Sequence, residues 1–334
     1  MMEKMGIAVA GSLIADLFYE IDTYPRQGMF TNIRATHGAV GGTGNLIIDL
    51  AQLDPELPVR VSALVGEDDS GEMICRTLAQ YPNIDQSNVT RQGQSSVDHV
   101  MEPRDTKERT FFYHPGASDI YDASYIDWDA VDARIFHLEY LLLMEKVDAP
   151  DTEYGSHGAR ILHEARSRGM LTSVDMVSEQ SDRVRPVVSA ALRYVDYCTI
   201  NEVEAEAVTG IAVTDEASAL QSLSALKELG VARWAVIHCP ECGYGLDCRS
   251  GEFVVWPSLR LPDGFIQGTT GAGDAYCSGI LYGAYNDMPL KKAMRFACAA
   301  AACSLSGPNG TDGMREAALV WDVFEEFCPE RRTK

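Results

Sequence analysis

The sequence predicts an α/β protein: a mainly parallel sheet covered by helices on both faces, a three-layer α/β/α sandwich, with a small β-sheet inserted into it. Three observations carry this. Short apolar runs recur at 7–10, 59–65, 135–138, 171–175, 194–200 and 234–238, each the length of a strand buried on both faces. Helical patterns at 45–53, 71–80, 153–168, 202–208 and 216–229 fall between them, and such alternation builds parallel sheets through crossover helices. Two stretches, 17–38 and 95–116, break the rhythm by alternating apolar and polar residues, as half-exposed strands do.

The first run follows Lys4 in "MGIAVAGSLIA", which faintly resembles a signal peptide. Gly11-Ser12 interrupts it, so it reads as a buried strand ending in a turn, with Asp16 just beyond. The two alternating stretches form one small sheet, a lid built from about 12–40 and 94–116. No low-complexity linker isolates them, so residues 1–334 are expected to be one domain. Past Gly271 the pattern turns helical at 274–285, 290–304 and 315–327, with Cys277, Ile280, Leu281 and Ala284 marking a core face.

With 49 acidic and 28 basic residues the formal net charge is −21. Nucleic-acid and anionic-membrane surfaces need a basic footprint, so neither is expected as a partner. No apolar run approaches a membrane span. Nine cysteines in largely apolar contexts suit a reducing, cytoplasmic compartment. Cys239-Pro-Glu-Cys242 offers half of a zinc motif without a second pair.

Two glycine clusters carry the chemistry. "GGTGN" at 41–45 precedes the helical "LIIDLAQL"; its glycines allow close backbone approach, and Asn45 offers donors and an acceptor. It departs from a dinucleotide fingerprint because Ile47 stands where the third glycine belongs. "GTTGAGDAYCSG" at 268–279 sets Gly271, Ala272 and Gly273 directly before Asp274. Amides at a helix start attract an anion. A carboxylate beside them makes sense as a general base if the anion is a transferring phosphoryl group. The bland alternative is a first-turn carboxylate favoured by the helix dipole.

The chain resembles the ribokinase/PfkB family of carbohydrate kinases: "TTGAGDAY" is similar to its C-terminal signature and "GGTGN" to its N-terminal glycine motif, in the same order. The resemblance implies a ribokinase-like fold and an ATP- and Mg2+-dependent phosphotransferase acting on a hydroxymethyl group of a small sugar. By resemblance, Asp274 is the catalytic base and Gly271, Ala272 and Gly273 form the anion hole. Asp16, Gly42, Asn45 and Glu139 belong to the sugar pocket, and His114 of the lid joins them. "NEVEAEAVTG" is similar to the family's Asn-x-x-Glu motif, so Asn201 and Glu204 would organise magnesium-bound water; the alternative is an ordinary capping box. Gly243 and Cys298 fall at nucleotide-binding positions. Pairing of lids between subunits would make a homodimer.

The sequence departs from the family in three places. Gly268 replaces an aspartate that ligates a monovalent cation in potassium-activated members, which puts that cation in doubt. The nucleotide loop is altered to "HCPECG" (238–243), and Cys298 stands where Asn or His flanks adenine. A nucleoside kinase, or a sugar-binding protein with impaired catalysis, are therefore the alternatives. Arg26, Arg34, Arg104, Lys107 and Arg109 lie in the lid segments and, as solvated strand charges, leave a neutral sugar preferred.

Overall fold

The computed structural model describes residues 4–106 and 108–328, so Lys107 lies outside the described residues. Among the described residues the main sheet has nine strands, in the spatial order Phe253–Pro257, Cys242–Asp247, Trp234–His238, Tyr197–Asn201, Leu171–Met176, Ile135–Leu141, Ile7–Gly11, Val59–Val65 and Ile84–Arg91. Pairing is parallel from Trp234–His238 to Ile84–Arg91 and antiparallel in the hairpins at the other edge.

Successive strand residues face opposite sides. Ile7, Val9, Trp234 and Val236 enter one core with the helices Thr43–Leu53, Ala272–Tyr285, Leu290–Leu305 and Ala317–Phe327. Ala8, Ala10, Ala235 and Ile237 enter the other with His157–Ser167, Val184–Leu192, Glu202–Thr209 and Glu216–Leu229. This is the expected three-layer α/β/α arrangement.

The small sheet runs in the order Ile33–Gly42, Leu13–Ile21, Ser96–Pro103 and Thr110–His114. Its central pair is parallel and the outer pairs antiparallel. Only Ser12 separates its strand Leu13–Ile21 from the main-sheet strand Ile7–Gly11, so the lid springs directly from the middle of the main sheet. Ile33, Phe111 and Phe112 are exposed on it.

Several expected boundaries move. The helix expected at 153–168 is His157–Ser167, because the chain first makes a minimal hairpin at Pro150–Asp151 and Gly155–Ser156, and Ser156 then caps the helix through Ala159 N at 3.2 Å. The strand expected at 194–200 is Tyr197–Asn201, since Tyr194 and Val195 still hydrogen-bond back to the end of Val184–Leu192. The helix expected from 274 begins at Ala272.

Candidate active site

The loop before Ala272–Tyr285 is shaped by Gly271, which has left-handed backbone (φ 78) and caps the helix. A Cβ there would meet Gly310 Cα at 2.6 Å, so no side chain fits. The first turn leaves its amides without intrahelical partners, and Asp274 is its third residue.

Asp274 is held from two other elements. Asn45 Nδ2 donates to Oδ2 at 2.9 Å and the Tyr140 hydroxyl to Oδ1 at 2.5 Å. Burial raises the Asp274 carboxyl above its usual range, while the bonds from Tyr140 and Asn45 oppose the rise. Asn45 comes from the first turn of Thr43–Leu53 and Tyr140 from the end of Ile135–Leu141. The sequence thus brings residues 45, 140 and 274 to one point through its topology.

Two cavities flank the loop. The smaller, about 200 Å³, is lined by Asp16, Phe18, Asn45, Thr270, Asn309 and Asp312 among others. The larger, about 640 Å³, is mostly apolar and is lined by Leu259, Ile266, Cys298 and Ala302, with Asn201, His238 and Thr269 adding polar groups. Ala272 and Gly273 line the larger one. The loop is a shared wall.

Asp16 lies over Gly41, where a Cβ would stand 2.2 Å from Oδ2. Burial, helped by the charges of its strand neighbour Asp98 and of Asp274, pushes its carboxyl up to about 7. Gly42 instead serves a backbone crossing, since a Cβ there would meet Ser12 O at 2.4 Å. Glu139 is fully buried: His137 Nε2 meets Oε2 at 2.8 Å, and Oε1 has no hydrogen-bond partner among the described residues. It lines neither cavity, and neither does the exposed His114.

Arg109 reaches from the lid to the loop: Nη1 donates to Thr270 Oγ1 at 2.6 Å, while Nε donates to Glu102 at 2.7 Å. Arg34 and Arg104 pair with Asp22 and Glu20. Arg26 is exposed.

Asn201 and Glu204 form a capping box at the start of Glu202–Thr209. Ser178 Oγ and Asn201 Nδ2 donate to Glu204 Oε1 at 2.8 and 2.7 Å, and Asn201 N to Oε2 at 2.8 Å. Burial raises Glu204 to about 7. Asn201 lines the larger cavity but Glu204 does not. Gly243 packs under Tyr276, whose hydroxyl would stand 2.3 Å from a Cβ there. Among the described residues no group of three His, Cys, Asp or Glu is placed to hold a metal ion, and no helix is long and apolar enough to cross a membrane.

The family model described as pfkB family carbohydrate kinase matches residues 6–317. The chain belongs to the pfkB family. Within it, the chain is 25% identical over 307 residues to a ribokinase of Haemophilus influenzae, covering 90% of this chain and 92% of that one. It is 40% identical over 58 residues to a 5-dehydro-2-deoxygluconokinase of Geobacillus kaustophilus, a match spanning 17% of that protein's length. A match to the bifunctional protein HldE of Wolinella succinogenes spans 21% of its length, at 35% identity. In fold the chain is similar to a ribokinase of Thermotoga maritima (TM-score 0.79, 18% identity, 96% of this chain and 99% of that one). It is also similar to Arabidopsis thaliana ribokinase complexed with ribose and ATP (TM-score 0.80, 19% identity, 97% and 99%).

The residues missed in the sequence are Tyr140, His238, Thr270 and Asp49. Asp49 is fully buried with neither carboxylate oxygen hydrogen-bonded among the described residues, and burial holds it well above its usual range. Asp49 lies on the helix Thr43–Leu53, which is buried nearly all round.

These shifts set a pH dependence of stability. In the unfolded chain the carboxylates are ionised above about pH 5. In the folded protein Asp16 and Glu204 hold protons up to about 7, and Glu139, Asp49 and Asp175 are raised well above their ordinary values. The native state therefore binds more protons, and stability falls as pH rises through these values. His137 and His238, lowered to about 3 and 4 by burial, act oppositely but only below about pH 6.5, where the unfolded imidazole is charged. Thermal unfolding is expected to show a lower Tm at pH 8.5 than at pH 6.5; a rising Tm over that interval contradicts the assignment.

Proposed function

We propose that the protein is an ATP-dependent kinase that phosphorylates a hydroxymethyl group of a small neutral sugar. The observation that carries this is the shared wall: Thr270 lines a small polar cavity and Thr269, Ala272 and Gly273 a large, mostly apolar one, and Asp274, which lines neither, follows directly and is bonded to Asn45 of the small cavity. In this reading the sugar hydroxyl loses its proton to Asp274 as its oxygen bonds to the γ-phosphorus. The bond from that phosphorus to the bridging oxygen breaks, and ADP leaves. The amides of Gly271, Ala272 and Gly273 meet the charge on the transferring group.

Volume and charge support the substrate class. The small cavity, at about 200 Å³, is below the usual range for drug-sized ligands, which favours a monosaccharide over a nucleoside. Among the described residues Asp16 and Asp312 line it without a lysine or arginine, and Arg109 is already engaged by Glu102, which favours a neutral sugar over an anionic one. The large cavity, at about 640 Å³, suits a nucleotide, with Cys298 on its wall.

Among the described residues no lysine or arginine lines that cavity, so phosphate charge falls to the amides and to magnesium. The donor set fits an ion that keeps most of its water: Asn201 stands at the cavity, and Glu204 lies one hydrogen bond behind it. Magnesium, when bound, would neutralise charge on the phosphates.

Two substitutions test the scheme together. Asp274→Asn should lower kcat by roughly 10²–10⁴ with sugar affinity nearly unchanged. Asp16→Ala should instead weaken sugar binding, by roughly 1.5–3 kcal/mol per hydrogen bond lost to the carboxylate, with ATP binding intact. Near-normal turnover in the first, or unchanged sugar affinity by calorimetry in the second, removes that residue from its role.

Gly268 bears on monovalent cations. A Cβ there would stand 2.7 Å from Pro308 O and 3.1 Å from Gly307 O, so the position is closed by backbone carbonyls and offers no carboxylate. Carbonyls alone repay dehydration of a cation poorly. Replacing potassium by sodium at constant ionic strength is expected to leave the rate nearly unchanged, and a several-fold selective stimulation by potassium would show that the carbonyls build a site unaided.

A further inference from the structure

The reaction scheme leaves one group at the base unused, the Tyr140 hydroxyl at 2.5 Å from Asp274 Oδ1. We propose that Tyr140 is a positioning residue that holds Oδ1 of the base, so that Oδ2 is the oxygen presented to the acceptor hydroxyl. The inference rests on Asp274 being the general base.

Both oxygens of Asp274 are occupied, and the two donors differ in place. Asn45, on Oδ2, lines the small cavity. A hydroxyl bound there competes with its amide for Oδ2. Tyr140 lines neither cavity and approaches from the end of the main-sheet strand. Asp274 itself lines neither cavity, so a ligand in the small cavity reaches Oδ2 by displacing the Asn45 amide, while the tyrosine keeps Oδ1.

The tyrosine is itself held in place. The carbonyl of the preceding residue, Glu139, accepts from Ser12 N at 3.3 Å and Thr43 Oγ1 at 3.1 Å. Gly11 packs so closely on that carbonyl that a Cβ would stand 1.6 Å from it. The Glu139 side chain is tied to His137, whose other ring nitrogen meets Ser173 Oγ at 2.9 Å. Two strands and a helix thus fix the backbone from which the phenol projects. Such anchoring turns one hydrogen bond into orientation, since a carboxylate gripped at one oxygen keeps its plane while the other exchanges partners.

The charges around Asp274 are consistent with a permanent donor. Burial and the Asp274 charge raise the Tyr140 phenol well above its usual range, so it stays protonated. Of the other groups facing Asp274, His137 is neutral, and Glu139, Asp49, Asp175 and the Cys277 thiol are all raised by burial. Asp16, at about 7, titrates in the working range of the free enzyme. The informative pH profile is therefore that of kcat at saturating sugar and ATP, which reports the bound complex.

Tyr140→Phe keeps the ring and removes the donor. The expected result is a kcat lower by roughly 10- to 100-fold, the worth of one hydrogen bond to a charged group, with KM for sugar and ATP within about threefold. The acid limb of the kcat profile should move to higher pH, because Asp274 loses a bond that favours its ionised form. In an Asp274→Asn background the same change should alter the residual rate less than about twofold, since residues acting as a unit are non-additive. A Phe variant with parental kcat and acid limb overturns the inference. So does a raised sugar KM with kcat intact, which would make Tyr140 a substrate contact. Tyr140→Met repeats the test without the ring, and failure of both variants to fold would assign Tyr140 to stability instead. If Asp274→Asn keeps normal turnover, the base assignment falls first; if it is inactive while Tyr140→Phe is normal, only the present inference falls.

Discussion

The structure depends on the grip that Asn45 and Tyr140 keep on the carboxylate of Asp274. The three residues come from a helix N-terminus, a strand end and a second helix N-terminus, and they meet because the parallel sheet delivers its strand ends to one edge. That edge is crowded with acid. Asp16, Glu139, Asp49 and Asp175 are all pushed up by burial. Burial disfavours the ionised form of each of these neighbours, which limits their repulsion of Asp274, whose own ionised form the bonds from Tyr140 and Asn45 favour.

The lid follows from the same geometry. Its first strand continues from the main-sheet strand that passes beside Glu139, with Ser12 as the joint. Arg109 closes the circuit by reaching from the lid strand region to Thr270, two residues from the helix start. The small cavity is lined by Asp16 and Phe18 of the small sheet and by Thr270 of the loop, and the Arg109–Thr270 bond ties the two together.

Much of this was legible in the sequence. The inner strands were readable because burial on both faces leaves a continuous apolar run, as in "IAVAG" and "WAVIH". The edge strand Ile84–Arg91, "IDQSNVTR", was not, since one exposed side admits polar residues that read as loop. Nor was the hairpin strand Cys242–Asp247, whose Gly243 and Gly245 interrupt the apolar pattern, nor its partner Phe253–Pro257, which ends in a proline. At the site, Asp274 and Asn45 stand out because glycines flank them. Tyr140 has no such marker: a tyrosine after a buried strand usually belongs to the core, and its neighbour Glu139, the more conspicuous residue, proves to be turned inward to His137. Asn201 and Glu204 were visible with two meanings, and the structure shows the capping box in full.

The central claim is that Asp274, directly after the loop shared by a sugar-sized and a nucleotide-sized cavity, takes the proton of a neutral sugar's hydroxyl as a phosphoryl group passes to that oxygen. It is tested most directly by measuring ADP release with ATP and magnesium across neutral monosaccharides, acidic sugars and nucleosides, with phosphorus NMR on the products. The account predicts ADP release that requires a neutral monosaccharide and yields a phosphomonoester on a primary hydroxyl. Sugars that bind by calorimetry yet give no phosphomonoester, or turnover confined to acidic sugars or nucleosides, would contradict it.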